Sequence, residues 1–535
     1  MKIALAQMNA IVGDIGGNLT KISDAIARAK HMGAQVVLTP ELALSGYPPE
    51  DLLLRDDFQA QIEQALQQLC ALAQGITLVV GHPYRQGRRL YNAASVMRNG
   101  RVICHYRKFS LPNHTVFDEH RYFTAGDEAC VFEEAGIRFG VNICADVWHE
   151  TAPRAAAAAG AQVLLVLNAS PFHLDKADER YAVVSERIQE NHLSVLYCNL
   201  VGGQDELVFD GGSFAMDAAG ELRAQFPWFE NGVYLVELDG VLPRSSLITP
   251  VPSLKQSAYQ ALVMGLRDYV KNNGFHGVLL GLSGGVDSAL TLAIAVDALG
   301  ASHVHAVMMP SAYTAEISVI DSRTMVENLG VQYSELPIAP LYEQFLQCLA
   351  LEFHGRAVDL TEENLQARIR GTLLMALSNK FGQLVVTTGN KSEMAVGYAT
   401  LYGDMAGGFA LLRDVSKTLV YRLCHYRNAI SPVILPRVIE RPPSAELRPD
   451  QTDQDTLPDY EVLDAIIASY VEEDESVEDI VAAGFDRDEV QRVVRMIDRS
   501  EYKRRQAPVG VRITARGFGK DRRYPITQCF DPTSK

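Results

Sequence analysis

Along the first 238 residues, hydrophobic positions repeat with the period of a strand in some segments and with the period of a helix in others. Short runs rich in β-branched residues predict strands at residues 35–39, 77–81, 102–106, 137–143, 162–167 and 194–199. Between these runs, apolar residues recur at helical spacing and predict amphipathic helices at residues 18–32 and 58–72. Strands that alternate with helices indicate an α/β layered domain over residues 1–238.

The pattern becomes a regular strand–helix repeat after residue 254. It predicts a helix over 255–272, then a strand over 277–281 that leads through a Gly-rich turn into a helix over 286–299. Further strand–helix pairs are predicted at 303–309 with 315–329, at 331–336 with 338–352, and at 384–388 with 391–400. This repeat is typical of a doubly wound parallel sheet, whose ligands bind at the carboxyl ends of the strands.

Two proline-rich segments interrupt these patterns. Residues 239–254 carry three prolines without periodicity, which favours an interdomain linker between domains over 1–238 and 255–535. Residues 432–460 carry six prolines. So long a segment without regular structure is either a functional lid or disordered, and the sequence leaves both open.

Composition narrows the class of protein. A chain of 535 residues with 47% hydrophobic residues exceeds what one core usually supports, so two domains are expected. The net charge of -16 argues against a general nucleic-acid binder, and no apolar stretch approaches the ~20 residues of a membrane span. The eight scattered cysteines favour neither a zinc ribbon nor a disulfide framework, and they fit a reducing, cytoplasmic compartment.

The strongest chemical signal is a turn between a predicted strand and a predicted helix, Ser283-Gly284-Gly285-Val286-Asp287-Ser288. Its glycines let successive backbone N–H groups and the helix N-terminus face an anion, and its two serine hydroxyls add donors. An ordinary Gly-rich turn is the alternative, but such a turn requires neither the aspartate nor both serines. The turn is not a Walker A loop, because no Gly-Lys-Ser/Thr follows it. We expect it to bind a phosphate chain.

A carboxylate in this turn suggests a metal. Asp287 could merely cap the helix, which is the commoner role of an aspartate at that position. A second predicted strand end, residues 387–393, repeats the combination of hydroxyls, a glycine and a carboxylate, here Glu393. Together Asp287 and Glu393 could hold Mg²⁺ on the phosphates of ATP.

Residues 255–525 resemble the NAD synthetases of the N-type ATP-pyrophosphatase group. Besides the two turns, the resemblance rests on segments 362–371, 402–409 and 441–447. It implies a doubly wound, adenine nucleotide α-hydrolase-like domain that adenylates deamido-NAD with ATP, releases pyrophosphate and lets ammonia attack the acyl-adenylate. By position it implies ATP contacts from Gly281, Leu282, Ser283, Gly284, Gly285, Val286, Asp287, Ser288 and Thr388, and deamido-NAD contacts from Asn364, Glu393 and Lys503. Arg413 stands where relatives commonly have Lys.

The C-terminal region is locally basic between residues 502 and 523. A solvated basic face is the simpler interpretation for most of these residues. Phosphate-bearing substrates also suit such charges, and we assign a binding role to Lys503 alone.

Three segments of the first half become informative together: residues 39–42, 106–108 and 142–148. Alone, Cys144 would be a core residue, and Glu41 and Lys108 would be surface charges. As a set they resemble the nitrilase, or carbon-nitrogen hydrolase, superfamily, which implies an αββα sandwich with a Glu-Lys-Cys triad. Because a thiol is mostly protonated at neutral pH, Glu41 would act as the base for Cys144. Lys108 would stabilise the oxyanion.

Segments 111–119 and 168–176 are similar to those of glutaminase domains fused to NAD synthetases. The resemblance implies that His114, Ser170 and Lys176 bind glutamine. His114 stands where Tyr is usual, so it either bonds substrate or only packs. Ala145 also departs from the family, because an acidic residue commonly follows the nucleophile.

Both resemblances imply a glutamine-dependent NAD synthetase: deamido-NAD, ATP, glutamine and water give NAD, AMP, pyrophosphate and glutamate. We therefore expect an enzyme with small-molecule substrates and Mg²⁺, without a prosthetic group, acting as a homo-oligomer that binds neither nucleic acid nor membrane. One alternative is an amidase fused to another ATP-pyrophosphatase ligase, such as a GMP-synthetase-like enzyme. A second is an inactive N-terminal half that serves assembly or senses glutamine.

Overall fold

The computed structural model describes residues 1–449, 451–528, 530 and 532–533. It divides into two compact units, Met1–Ser253 and Leu254–Lys535. No helix in this described part of the chain combines the length and the apolar character that crossing a bilayer requires.

The first unit contains strands β1–β15 and helices α1–α4. The strands are Lys2–Gln7, Val36–Leu38, Thr77–Gln86, Arg89–Arg98, Arg101–Arg107, Val131–Glu134, Ile137–Ile143, Val163–Asn168, Ser194–Asn199, Val201–Gln204, Leu207–Asp210, Phe214–Met216, Leu222–Gln225, Gly232–Asp239 and Leu242–Pro243. The helices are Ile15–His31, Asp56–Leu72, Thr151–Ala158 and Lys176–Asn191.

Two sheets form the centre of this unit. One has seven strands in the order β15-β14-β1-β2-β3-β4-β5, and the other has six in the order β13-β12-β9-β8-β7-β6. Apolar residues of both sheets share one core, which includes Leu5, Val79, Val141 and Leu165. Separate cores join α1 and α2 to the outer face of the first sheet, and α4 to that of the second. This is the predicted αββα order of layers.

A disulfide joins the two sheets of the first unit. Cys104 lies on β5 and Cys130 lies just before β6, with their Cα atoms 6.7 Å apart. The scattered spacing of the cysteines did not predict this bond. The other cysteines of the described chain, Cys70, Cys144, Cys198, Cys348 and Cys424, are free thiols.

The second unit contains strands β16–β20 and helices α5–α16. The strands are Val278–Gly281, Val304–Met308, Gln332–Glu335, Leu384–Thr387 and Phe409–Ala410. The α-helices are Leu254–Asn272, Val286–Leu299, Glu316–Leu329, Ala339–Leu349, Leu360–Phe381, Lys391–Val396, Lys417–Ile430, Pro436–Glu440, Tyr460–Ile467, Val477–Ala482, Arg487–Arg499 and Glu501–Arg504.

These strands form one parallel sheet in the order β18-β17-β16-β19-β20. The predicted doubly wound α/β architecture is therefore confirmed. The central strands β16 and β19 are neighbours, and the two turns singled out in the sequence follow them directly. Because parallel strands end at the same edge of a sheet, both turns lie at the edge where such folds bind ligands.

Helix α9, Leu360–Phe381, was missing from the predicted elements. Its buried positions include the polar Gln366 beside Ile369, so its sequence does not separate into an apolar and a polar face. Its start did carry a signal: the Asp359 side chain accepts from Thr361 N at 2.7 Å, and Asp359 N donates to Glu362 at 2.9 Å.

Helix α10 and the segment 432–460 also differ from the predictions. Helix α10 ends at Val396 rather than 400, because Gly397 adopts a left-handed conformation with φ +74° and ends the helix. The segment 432–460 contains α12 and a 3₁₀ turn, Asp453–Asp455, and Asp450 lies outside the described residues.

A buried lysine ties four segments of the second unit together. The Lys391 ammonium at the start of α10 lies 2.9 Å from Asp414 and 2.6 Å from Glu472, which belongs to a π-helical turn. It also donates to Thr514 at 2.8 Å in the C-terminal segment. This lysine therefore faces the protein interior.

Replacing Lys391 by Met should destabilise the second unit by about 3–5 kcal/mol, because two carboxylates would lose their buried cation. Urea unfolding followed by far-ultraviolet circular dichroism measures the loss. Both tryptophans, Trp148 and Trp228, lie in the first unit, so their fluorescence supplies an internal reference. The exposed Lys380→Met is the matched control, and equal midpoints for the two variants would contradict the prediction.

Candidate active sites

Cys144 lies on a strained turn that follows β7 directly. Its φ of +44° is unusual for a residue with a side chain, and strain of this kind concentrates at functional sites. The residue is buried, with 6% of its surface exposed. Burial raises the pKa of the thiol well above its ordinary value, and the nearby Glu41 carboxylate raises it further. The thiol is therefore protonated until a base removes its proton.

Asp146 fixes this turn against the end of β5. One carboxylate oxygen accepts from the backbone N–H groups of Phe109 and Ser110 at 3.0 and 2.8 Å. The other accepts from Ile143 N at 2.9 Å and from the Tyr106 hydroxyl at 2.7 Å. The segment after Lys108 and the residue before Cys144 are thus held by one side chain.

Lys108 is fully buried between two carboxylates. Its ammonium lies 2.6 Å from Glu41 Oε1 and 2.8 Å from Glu119 Oε1. Asn92 donates to Glu41 Oε1 at 2.7 Å, and the backbone N–H of Ala169 donates to Glu41 Oε2 at 3.1 Å. The structure therefore brings Glu41, Lys108 and Cys144 into one buried cluster, with Glu119 added.

The charges of this cluster determine one another's protonation. Burial alone would lower the pKa of Lys108, but Glu119 and Glu41 raise it well above its usual value. Burial raises the pKa of Glu119 to about 7, although Lys108 opposes that shift. Lys108 is therefore a permanent cation, while Glu119 changes charge near neutral pH.

The three residues assigned to glutamine occupy different environments. Ser170 is buried, and its hydroxyl accepts from Arg180 Nε at 3.1 Å. The Lys176 ammonium lies 3.9 Å from the centre of the Trp148 ring, four residues after Cys144 in the chain. His114 is exposed, and its ring meets that of Phe117 edge-on at 5.8 Å.

The Gly-rich turn of the second unit forms a compact loop. The Ser283 and Ser288 hydroxyls lie 3.1 Å apart, and Ser283 N donates to Ser288 Oγ at 3.2 Å. Gly284 has φ +82°, and a Cβ there would lie 2.6 Å from the carbonyl oxygen of Ser318. Only glycine fits where the loop meets α7.

Side chains of the two strand-end turns meet below this loop. Asn390 donates to Asp287 Oδ1 at 2.9 Å. The Lys417 ammonium lies 2.5 Å from Asp287 and 3.4 Å from Glu393. Burial raises the pKa of Glu393 to about 8, with Lys417 opposing the shift and Asp287 adding to it. The two carboxylates proposed as metal ligands thus converge on one cation.

A cavity of about 290 Å³ opens above these groups. Its walls include Thr388 and, with the exception of Gly284, the residues Gly281–Ser288, together with parts of the 441–447 segment. Two of the residues assigned to deamido-NAD bond to neighbouring protein groups. Asn364 accepts from the Thr400 hydroxyl at 2.8 Å, and the Lys503 ammonium donates to the carbonyls of Gly397 and Ala399 at 2.8 and 2.9 Å.

Comparison with known proteins matches both units. The family model for carbon-nitrogen hydrolases matches residues 2–243, and that for NAD synthases matches residues 258–507. The glutamine-dependent NAD(+) synthetase of Acinetobacter baylyi is 50% identical over 99% of both chains, and that of Thermotoga maritima is 45% identical over 99% of both. The chain belongs to the glutamine-dependent NAD(+) synthetases.

A solved structure of this family agrees with the fold. The glutamine-dependent NAD(+) synthetase of Acinetobacter baumannii, determined with adenosine diphosphate, aligns with a TM-score of 0.81 at 47% identity and covers 98% of both chains. The chain is accordingly an enzyme of NAD biosynthesis that amidates with glutamine, as predicted. The alternative of a GMP-synthetase-like ligase is not favoured.

Two residues of the sites were not assigned from the sequence. Glu119 ends a segment that the glutaminase resemblance covers, and Lys417 follows Asp414 by three positions. Neither charged residue has neighbours in sequence that distinguish it from an ordinary surface charge. A buried carboxylate requires a cation beside it, and a buried cation requires a carboxylate. That pairing is the signal that could have indicated these two residues.

Replacing Glu119 by Gln should slow glutamine hydrolysis by about tenfold for each pKa unit by which the basicity of Glu41 falls, because Glu119 acts on that base through Lys108. With one carboxylate gone, Lys108 binds Glu41 more tightly and makes Glu41 a weaker base. The wild-type rate should fall as pH drops through about 7, where Glu119 gains a proton.

The pH–rate profile of glutamate release measures both effects. The inflection near pH 7 should disappear in Glu119→Gln, whereas the exposed Glu128→Gln should keep the wild-type profile. An unchanged inflection in Glu119→Gln would show that another group titrates there.

Proposed function

We propose that the chain converts deamido-NAD, ATP, glutamine and water into NAD, AMP, pyrophosphate and glutamate. The first unit would be the glutaminase domain and the second the synthetase domain. The observation that carries the proposal is the buried cluster of Glu41, Lys108 and Cys144 in the same chain as the Gly-rich turn of residues 283–288, which lines a cavity. The adenosine diphosphate in the Acinetobacter baumannii structure supports a nucleotide in the second unit.

In the glutaminase domain, Glu41 takes the proton of Cys144, and the thiolate attacks the carboxamide carbon of glutamine. Lys108 stabilises the negative charge that develops on the carboxamide oxygen. Glu41 returns the proton to the leaving ammonia, and a thioester forms on Cys144. Glu41 then takes a proton from water, and the hydroxide attacks the thioester carbon and displaces the Cys144 thiolate, which releases glutamate. Glu41 returns its proton to the thiolate and restores the thiol.

His114, Ser170 and Lys176 would bind the polar end of glutamine. Burial lowers the pKa of Lys176, yet Glu179 lies 2.8 Å away and supports the charged form. A cation there suits the α-carboxylate of glutamine. The exposed His114 would contact glutamine only at the edge of the site.

In the synthetase domain, the residues Gly281–Ser288 and Thr388 would bind ATP. The nicotinate carboxylate of deamido-NAD attacks the α-phosphorus, which releases pyrophosphate and leaves an acyl-adenylate. Ammonia then attacks the acyl carbon and displaces AMP. Asn364, Glu393 and Lys503 would contact deamido-NAD.

Mg²⁺ fits between Asp287 and Glu393. The Lys417 ammonium contacts one oxygen of each carboxylate, so Mg²⁺ would approach the other oxygens, Asp287 Oδ1 and Glu393 Oε2. Among the described residues no cluster of three or more acidic, histidine or cysteine side chains offers a fuller metal site. Two carboxylates suffice for Mg²⁺, which takes its other ligands from phosphates and water. When bound, the ion would neutralise charge on the ATP phosphates.

The association and location of the chain are further proposals. Exposed apolar side chains on and after α8, including Leu341, Phe345 and Leu351, support a homo-oligomer. The five free thiols support a cytoplasmic location.

Replacing Cys144 by Ala should abolish NAD formation from glutamine and leave NAD formation from added ammonium at the wild-type rate. The measurement is NAD production with each nitrogen source. The buried thiol Cys198 provides the control, because Cys198→Ala should keep both activities. Glutamine-dependent synthesis by Cys144→Ala would sink the assignment of the nucleophile and favour an inactive N-terminal half.

Replacing Asp287 by Asn should reduce synthesis from either nitrogen source by about 10²-fold or more, because one charge facing the nucleotide cation is lost. Glutamine hydrolysis should persist, because it occurs in the other unit. AMP and glutamate release report the two reactions separately. The exposed Asp488→Asn is the control, and retained AMP formation in Asp287→Asn would refute the metal role.

A further inference from the structure

Arg370 projects from α9 into the wall of the cavity that the Gly-rich turn also lines. Its Nε donates to the carbonyl oxygen of Met309 at 3.0 Å. Met309 follows β17, whose last residues pair with those of β16, where the turn begins. The guanidinium is thus anchored on one side at the ligand-binding edge of the sheet.

The guanidinium of Arg370 has two further nitrogens, Nη1 and Nη2. Within the described residues, no hydrogen bond or ion pair engages Nη1 or Nη2 of Arg370. Glu446 is the nearby carboxylate, but it already accepts from the Ser318 hydroxyl at 2.7 Å and lies 3.6 Å from Arg441. Two parallel donors therefore face the cavity.

Arg370 is half-buried, so its cation has lost part of its water without gaining a bonded anion, and an anionic ligand would offset that cost. Burial lowers the pKa of Arg370 to about 10, against the opposing effect of Glu446. The planar fork of arginine matches two oxygens of a phosphate better than any other side chain. A nucleotide in the cavity would supply such an anion.

We propose that Arg370 binds a phosphate group of a substrate through Nη1 and Nη2. The inference rests on the proposed function, because both ATP and deamido-NAD bring phosphates to this cavity. Arg370 would act beside the Gly-rich turn, which offers neutral N–H and hydroxyl donors, and would supply a fixed positive charge.

The test uses Arg370→Gln and Arg370→Lys in the full chain, with ammonium chloride as the nitrogen source and AMP release as the readout. KM is measured for ATP at saturating deamido-NAD and for deamido-NAD at saturating ATP. Arg370→Gln should raise one KM by about 10–100-fold, the value of one or two charge-assisted hydrogen bonds, and the affected KM identifies the phosphate donor. Arg370→Lys keeps the charge and should recover part of the loss.

Three controls distinguish the possible reasons for a negative result. Lys380→Gln removes an exposed charge from the same helix and should leave both KM values unchanged. Glutamine hydrolysis should be equal in all variants, and a wild-type chain that releases no AMP would instead refute the proposed function. The inference is overturned if both KM values of Arg370→Gln match the wild type. It is equally overturned if Lys and Gln variants lose kcat alike together with melting temperature.

Discussion

The structure depends on the cost of burying charge. Three lysines are almost completely buried, and each ammonium lies between two carboxylates that would be unstable in the interior without it. These triplets are Lys108 with Glu41 and Glu119, Lys391 with Asp414 and Glu472, and Lys417 with Asp287 and Glu393. The Lys108 triplet lies beside the Cys144 thiol. The Lys391 triplet contacts the C-terminal segment, and the Lys417 triplet joins the two turns that follow β16 and β19. With both carboxylates ionised, each triplet carries one excess negative charge, which a proton or a further cation can neutralise.

Both sites use the end of a strand to present reactive groups. Cys144 follows β7, the Gly-rich turn follows β16 and Thr388 follows β19. Because the strand is packed in a core, its last residue is held in place. The backbone N–H groups and side chains of the turn that follows are not paired within the sheet and can contact a ligand. The first unit adds strain at Cys144, whereas the second uses Gly284 to let the loop approach α7.

Most of the fold could be predicted because long segments show a clear helix or strand period, and because the two turns after β16 and β19 mark the ends of strands. The strands that were missed, such as β4 and β10–β13, are short or lie in segments where polar residues interrupt the alternation. Helix α9 was missed because its exposed positions include the apolar Leu360, Met375 and Phe381 while its buried positions include Gln366, which removes the periodicity that reveals a surface helix. Glu119, Lys417 and Arg370 could not be singled out, since a sequence does not tell which charged side chains are buried. The Cys104–Cys130 bond joins residues on different sheets, and their spacing alone did not indicate the pairing.

The C-terminal segment also sets an order of events during synthesis of the chain. Ala507 and Pro508 belong to the wall of the cavity beside the Gly-rich turn. A Cβ on Gly510 would lie 1.9 Å from the Ala410 carbonyl oxygen, so this segment lies directly against β20. Thr514 closes the contact with Lys391. The first unit is fully translated at Ser253. At about 5–20 residues per second, roughly 13–50 s separate its completion from that of the cavity wall. A nascent chain therefore has the parts for glutamine hydrolysis well before it has those for using the ammonia.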